Sequence, residues 1–260
     1  MFRRILLTAL LLMVTLATDV LAGGRFDFAM IQPGQPGNTA EAQPVMDELA
    51  AYLGNKLGEP VKGVYFNDLQ ESLGYLDKNR PAWGITDLTF YKSFGKKYKM
   101  VPVAATLPQG QDKDVWRLVV PADGPDSAAG IKDTVYGSML YTPEARNILF
   151  NGKKGPSFPM EGTHQSLRML RKVDKGRVAG VCLDAVQYSV IEGSGRYGNT
   201  KVIFTSEKLP TSPVVWFGDT SDDALRLQAV LLDMSKDPSA AGLLKLLQTS
   251  GFNPADAELE

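Results

Sequence analysis

The sequence predicts an α/β protein of two lobes joined by a hinge. Three observations carry that expectation. Short apolar runs alternate with amphipathic helical patterns; two units of similar size follow one another; and the chain crosses out of the first unit near Ala105 and returns near Thr205. Hydrophobic residues at 44% and charged residues at 22% suit an ordinary packed core.

The chain opens on Arg3 and Arg4, an apolar run from Ile5 to Thr18, and Val20-Leu-Ala22. That is the pattern of a secretory signal peptide over residues 1–22, cleaved near Ala22. The run is short for a membrane span and Asp19 follows it. The expected location is the periplasm.

After the leader, Arg25 to Ile31 reads as a strand and Gln32 to Thr39 as a turn-rich loop. From Pro44, the positions Val45, Leu49, Leu53 and Leu57 step as one helix face, closed by Gly58. Pro60 to Phe66 is a second strand. Asn67 caps a helix with Leu69, Leu73 and Leu76 on one side, and Ala82 to Thr86 is a third strand. This βαβαβ run calls for a parallel sheet with right-handed crossovers.

Met100 to Thr106 leaves that unit as a strand, and Gln109 to Asp114 is a polar turn. Trp116 to Pro121 and Thr134 to Ser138 are strands of the second unit. Tyr141 to Phe150 is a helix with Thr142 as N-cap and Pro143 at the first helical position. Thr163 caps the next helix, which buries Leu167, Leu170 and Val173 and ends at Gly176. Val178 to Leu183 is a fully buried strand with Asp184 at its end. Lys201 to Thr205 returns the chain, and Val214 to Phe217 is a strand. A helix starts at Ser221 or Asp222, and a last one runs from Asp237 to Gly251-Phe-Asn-Pro254. The expected lobes are residues 23–106 with 207–260, and residues 107–206, each a mainly parallel sheet flanked by helices.

The stretch from Glu161 to Tyr188 holds the only histidine, His164, and the only cysteine, Cys182. It brings a polar helix start beside an acidic strand end, where ligands bind in open α/β sheets.

The chain is similar to the periplasmic substrate-binding components of phosphate, phosphite and phosphonate ABC transporters. The likeness rests on Leu53-Gly-Asn-Lys-Leu-Gly-Glu-Pro-Val61, Trp83-Gly-Ile-Thr-Asp-Leu-Thr-Phe-Tyr91, Gly162-Thr-His-Gln-Ser-Leu167, Gly180-Val-Cys-Leu-Asp184, Lys208-Leu-Pro-Thr-Ser-Pro213, and the tail from Leu231 to Phe252. It spans the whole chain after the leader. It implies a two-lobed periplasmic-binding-protein-like fold of type 2. It also implies capture of a small anion or zwitterion between the lobes, and delivery to an ABC transporter permease.

The resemblance implies a set of contacts as well. Tyr91 lines the first-lobe side of the cleft, and Tyr141 and Thr142 face the ligand's anionic group from a helix start. His164 contacts that group, and Asp184 accepts a hydrogen bond from the ligand or orders His164. Helix N–H groups favour an anion there by roughly 0.3–1 kcal/mol. Plainer readings stand beside these: packing for Tyr91, and helix capping for Thr142 and Asp184. The segment Leu140-Tyr-Thr-Pro-Glu144 departs from the small hydroxyl run with glycine usual in phosphonate binders. Pro143 removes a donor and Glu144 adds negative charge, so the ligand need not contain phosphorus.

Net charge is −1, near −2 once Arg3, Arg4 and Asp19 are removed, which calls for neither nucleic acid nor an anionic membrane. Lys92, Lys96, Lys97 and Lys99 read as a solvated face, with docking of a membrane partner as the lesser alternative. No Gly-x-Ser-x-Gly, His-Glu-x-x-His or Cys-x-x-Cys motif is present. Cys182 lies inside an apolar run, which disfavours a Cys182–His164 nucleophile pair. The expectation is a monomeric binding protein without catalytic residues, metal or cofactor. A sensory module feeding a membrane receptor is the alternative, and an enzyme on the same scaffold is a third.

Overall fold

The computed structural model describes residues 24–153, 155–192 and 194–259. The expected signal peptide lies outside the described residues. Among those described, no helix is long and apolar enough to cross a membrane.

The first lobe is built on a six-stranded sheet. Its strands are β1 (Phe28–Ile31), β2 (Gly63–Phe66), β3 (Trp83–Thr86), β4 (Met100–Thr106), β12 (Pro213–Phe217) and β13 (Phe252–Pro254), in the order β13-β4-β12-β3-β1-β2. β2, β1 and β3 pair in parallel, as βαβαβ requires, whereas β12, β4 and β13 are antiparallel. The sheet is therefore mixed, with β1, β2, β3 and β4 running one way and β12 and β13 the other. Strands that carry the chain to and from the second lobe must run both ways.

Helix α1 (Thr39–Leu57) buries Met46, Leu49, Ala50, Leu53 and Leu57 on Phe26, Phe28 and Trp83. It starts earlier than Pro44, because the Asn38 side chain accepts from Glu41 N, so Pro44 sits inside the helix and Val45 is only partly buried. Helix α2 (Leu69–Leu76) is capped by Asp68 rather than Asn67. The Asn67 amide instead donates to the carbonyls of Gln35 and Gly37, which holds the β1–α1 loop. Helix α3 (Leu88–Tyr98) follows β3 directly, capped by Asp87.

The second lobe carries β6 (Arg117–Pro121), β7 (Val135–Gly137), β8 (Met160–Gly162), β9 (Gly180–Leu183) and β10 (Thr200–Thr205), in the order β10-β6-β9-β7-β8. In this sheet β8, β7 and β9 run parallel, β6 runs antiparallel to β9, and β10, antiparallel to β6, runs the same way as the first three. Its helices include α4 (Glu144–Leu149), α5 (Ser166–Val173) and α6 (Ala185–Ile191). Two helix starts differ from expectation. Thr142 does not cap α4; Pro143 occupies the cap position with no side-chain bond. Thr163 does not cap α5, which begins after Gln165; the Thr163 hydroxyl accepts from Gln165 N in a local turn. Gly176 does adopt the left-handed conformation past the end of α5, at φ +63°.

Two strands cross between the lobes side by side. β5 (Lys113–Asp114) pairs antiparallel with β11 (Leu209–Pro210), so the expected polar turn ends in a short ladder. Trp116 N donates to Ser206 Oγ at 2.9 Å, and Ser206 N to Trp116 O at 2.8 Å. Helices α7 (Asp222–Asp233) and α8 (Ala241–Leu246) return to the first lobe. The last helix stops well before Pro254, and Phe252–Pro254 pairs with β4, closing an otherwise open edge.

Candidate functional site

The carboxyl ends of β1, β3, β7, β8 and β9 point their loops at one seam between the lobes. The first-lobe wall is the β1–α1 loop and the start of α3. The second-lobe wall is the segment Ser138–Thr142, the start of α5 and the start of α6.

The lobes meet here directly. Gly34 is buried with φ +87°, and a Cβ on it would stand 2.1 Å from the Ser138 carbonyl oxygen and 2.4 Å from the Tyr141 ring. Only glycine lets the loop approach so closely. On its other side the Tyr141 ring covers Gly162, where a Cβ would lie 2.5 Å from it. Tyr141 is thus clamped between the two lobes. Burial, with a smaller contribution from the Asp68 charge, pushes its phenol up to about 12. The exposed His164 ring lies 5.7 Å from that of Tyr141, and its Nδ1 pairs with the Gln35 carbonyl at 3.1 Å. A carbonyl only accepts, so Nδ1 donates. The Ser93 and Thr142 hydroxyls meet across the seam at 2.8 Å.

Two strand-to-helix junctions mirror one another. Asp87 caps α3, accepting from Phe90 N at 2.7 Å, and Asp184 caps α6, accepting from Gln187 N at 2.7 Å. Burial pushes both carboxyls up to about 7; at Asp184 the charge of Asp114 adds to it. Asp114 belongs to β5, and its carboxylate accepts from Ala185 N at 2.9 Å, tying α6 to the hinge.

Polar atoms at these junctions remain without partners. Thr86 is fully buried and Thr89 is 3% exposed, yet neither hydroxyl has a hydrogen bond. Gln187 Nε2 donates to Ser138 Oγ at 2.8 Å, leaving Gln187 Oε1 buried and unpaired. Ser166 Oγ, in the first turn of α5, is likewise unpaired. Unpaired buried polar groups are few in native folds, and these four lie at one strand end and in the first turns of three helices.

The five residues singled out from the sequence fare differently. Tyr141, Thr142 and His164 come together in the seam. Asp184 lies at its base as a helix cap, and no described hydrogen bond joins it to His164, so ordering of His164 falls to the Gln35 carbonyl. The Tyr91 hydroxyl donates to the Leu259 carbonyl at 2.5 Å. Cys182 is fully buried, and burial raises its thiol far from a nucleophile's range. Among the described residues no cluster suits a metal ion. Sequence reasoning missed Gly34, Thr86, Thr89, Ser93, Ser138 and Gln187. Thr86 and Thr89 lay within the Trp83–Tyr91 stretch, and position at a strand end was the available signal. Two surface grooves, about 430 and 530 Å³, lie elsewhere, around Tyr188 and Tyr197 and around Tyr52 and Asp237.

Residues 157–259 match the family described as the periplasmic substrate-binding protein of phosphonate ABC transporters. The family resemblance is borne out over those residues. The matched region includes β8, α5, β9 and α6, hence His164, Ser166, Asp184 and Gln187. No curated protein matches the chain by sequence. Among solved structures, XAC2383 from Xanthomonas citri bound to ATP is 16% identical, with a TM-score of 0.66 over 90% of this chain and 93% of its own. PhnD1 from Prochlorococcus marinus in complex with methylphosphonate is 14% identical, with a TM-score of 0.61 over 90% and 94%. An ancestral arginine-binding protein is 13% identical, with a TM-score of 0.55 over 85% and 97%. The fold is that of the two-lobed periplasmic binding proteins.

Proposed function

We propose that this chain is an extracytoplasmic solute-binding protein that closes its lobes on a small anionic or zwitterionic ligand and hands it to an ABC transporter. The observation that carries this reading is the seam itself, where Gly34 meets Ser138 and Tyr141 and Ser93 meets Thr142 across the lobes, in a chain part of which matches a transport family. Tyr141, Thr142 and His164 act from the second lobe, together with Ser138 and Gln187. Thr86 and Thr89 act from the first. Asp184 and Asp87 hold the helix starts, and Tyr91 lines the first-lobe side with its hydroxyl on the Leu259 carbonyl. Secretion through a leader cleaved near Ala22 places the mature chain, as a monomer, beside its permease.

The ligand class follows from the acids. Both helix starts already carry a carboxyl, and above pH 7, where both are ionised, a doubly charged ligand meets repulsion that a monoanion or zwitterion largely escapes. Calorimetry with methylphosphonate, phosphite, phosphate, methanesulfonate and amino acids tests the reading. One or more should give saturable heat and a raised melting temperature. A ligand at a hundred times its Kd adds about 2.7 kcal/mol. Silence across the whole panel would remove solute capture of this class. Mass spectrometry of the exported protein checks the start at Gly23.

A further inference from the structure

We propose that residues 256–259 form a clasp across the hinge that holds the lobes face to face before any ligand arrives, with Lys113 and Leu259 as its two anchors. The inference stands on the two-lobed fold and needs no ligand. The segment starts from the first lobe. β13 pairs with β4, and beyond it Ala257–Leu259 makes a single 3-10 turn. Glu258 N donates to Asp256 Oδ1 at 3.0 Å and Leu259 N to Asp256 O at 2.9 Å, which fixes that turn. Two side chains of α3 hold its backbone. The Tyr91 hydroxyl donates to the Leu259 carbonyl, and Lys92 Nζ donates to the Glu258 carbonyl at 2.7 Å. α3 is itself the helix that reaches the second lobe, through Ser93 and Thr142.

The segment also meets the crossing strand. Lys113 of β5 lies 2.5 Å from the Asp256 carboxylate and 3.3 Å from that of Glu258. The Lys113 and Asp256 side chains are 27% and 17% exposed, so water and salt screen this pair less than they screen a fully solvated one. Leu259 is buried, in the cluster that joins Leu88 of α3 to Trp116, Leu118 and Leu140 of the second lobe. β13 already closes the edge of β4, so none of these ties is needed to complete the first sheet. Opening the hinge carries α3 and β13 with one lobe and Trp116 and Leu118 with the other. It must then pull apolar surface out of the shared cluster or draw Lys113 away from Asp256, and both oppose opening.

Double electron–electron resonance reads the hinge without ligand. Spin labels on Gln70→Cys in α2 and Arg171→Cys in α5 stand on exposed positions, one in each lobe, and the buried Cys182 stays unlabelled. With the clasp unaltered, the labels should show one narrow separation, that of the face-to-face lobes. Lys113→Glu, which brings a third carboxylate to Asp256 and Glu258, should add a longer separation and raise the open-to-closed ratio about tenfold. Leu259→Ala should do the same, and Lys113→Arg, which keeps the charge, should leave the short separation in place. Melting curves check that each variant folds, and the partly exposed Lys113 carries the test if Leu259→Ala does not. A long separation with the clasp unaltered overturns the proposal, as does an unchanged distribution in folded Lys113→Glu. Opening by Lys113→Glu but not by folded Leu259→Ala overturns the apolar anchor. Because no ligand is added, failure here leaves solute capture standing, and a silent ligand panel leaves the clasp standing.

Discussion

The junctions at Asp87 and Asp184 are built alike and behave differently. Each ends a buried parallel strand, caps a helix through its own carboxylate, and carries a carboxyl lifted to about 7. At Asp87, burial alone does this. At Asp184, Asp114 from the hinge adds a second negative charge. The first junction leaves two hydroxyls unpaired, Thr86 and Thr89, each able to donate or accept; the second leaves an amide oxygen, Gln187 Oε1, that only accepts. The same local motif thus leaves different groups open in the two lobes, and only the second is wired to the hinge.

The largest effect that would break this comparison concerns pH. Both carboxyls titrate near 7 when folded and near 3.8 when unfolded. Between those values the folded state holds the protons, so their contribution is complete below pH 3.8 and is lost as pH rises through 7. The ceiling is about 4 kcal/mol for each group. An Asp87→Asn/Asp184→Asn double variant keeps both caps and should lose less stability than the wild type between pH 4 and 8. Parallel melting profiles would show that neither carboxyl is perturbed.

Next comes closure. Gly34→Ala places a methyl group against the Ser138 carbonyl at a positive φ, and closure with a side chain there should cost about 3 kcal/mol, roughly a hundredfold in ligand affinity. Small-angle scattering should report a more open particle. An unaltered envelope and affinity would move the binding seam elsewhere.

The asymmetry of the acids can be sharpened by removing each one. Asp87→Ala removes a cap worth about 1 kcal/mol but at pH 8 also removes a buried ionised carboxyl, so its net loss should fall below that figure. Asp184→Ala should cost less, since it also relieves Asp114. Equal losses in urea unfolding would erase the distinction drawn here. The smallest effect is the Ser93–Thr142 bridge. A double-mutant cycle of Ser93→Ala and Thr142→Val on ligand affinity should give a coupling of about 0.5–1 kcal/mol, and additive losses would mean the bridge is absent from the closed state.

Much of the fold was legible in the sequence. Met100 to Thr106 is a strand over that whole span, Ser221 caps α7, and Gly58 and Gly176 take the left-handed conformation. These depend on neighbours within a few residues. The misreadings share a cause. Thr142 and Asn67 are good capping residues by type, yet their side chains are taken by Ser93 across the seam and by the Gln35 and Gly37 carbonyls. Phe252–Pro254 follows a helical run but pairs with the edge of β4. In each case a partner distant along the chain won over local preference.

By itself, then, the sequence determined the alternation of strands and helices, the faces they bury, the acidic residues at two helix starts and the family likeness, because periodicity and capping act over a few residues. Which hydroxyls stay unpaired, which glycine admits the opposite lobe and which acid feels the hinge were decided only when the two crossing strands brought the lobes face to face. Hydrogen-bond satisfaction and desolvation are properties of the enclosed space, and that space is made by residues far apart in the chain.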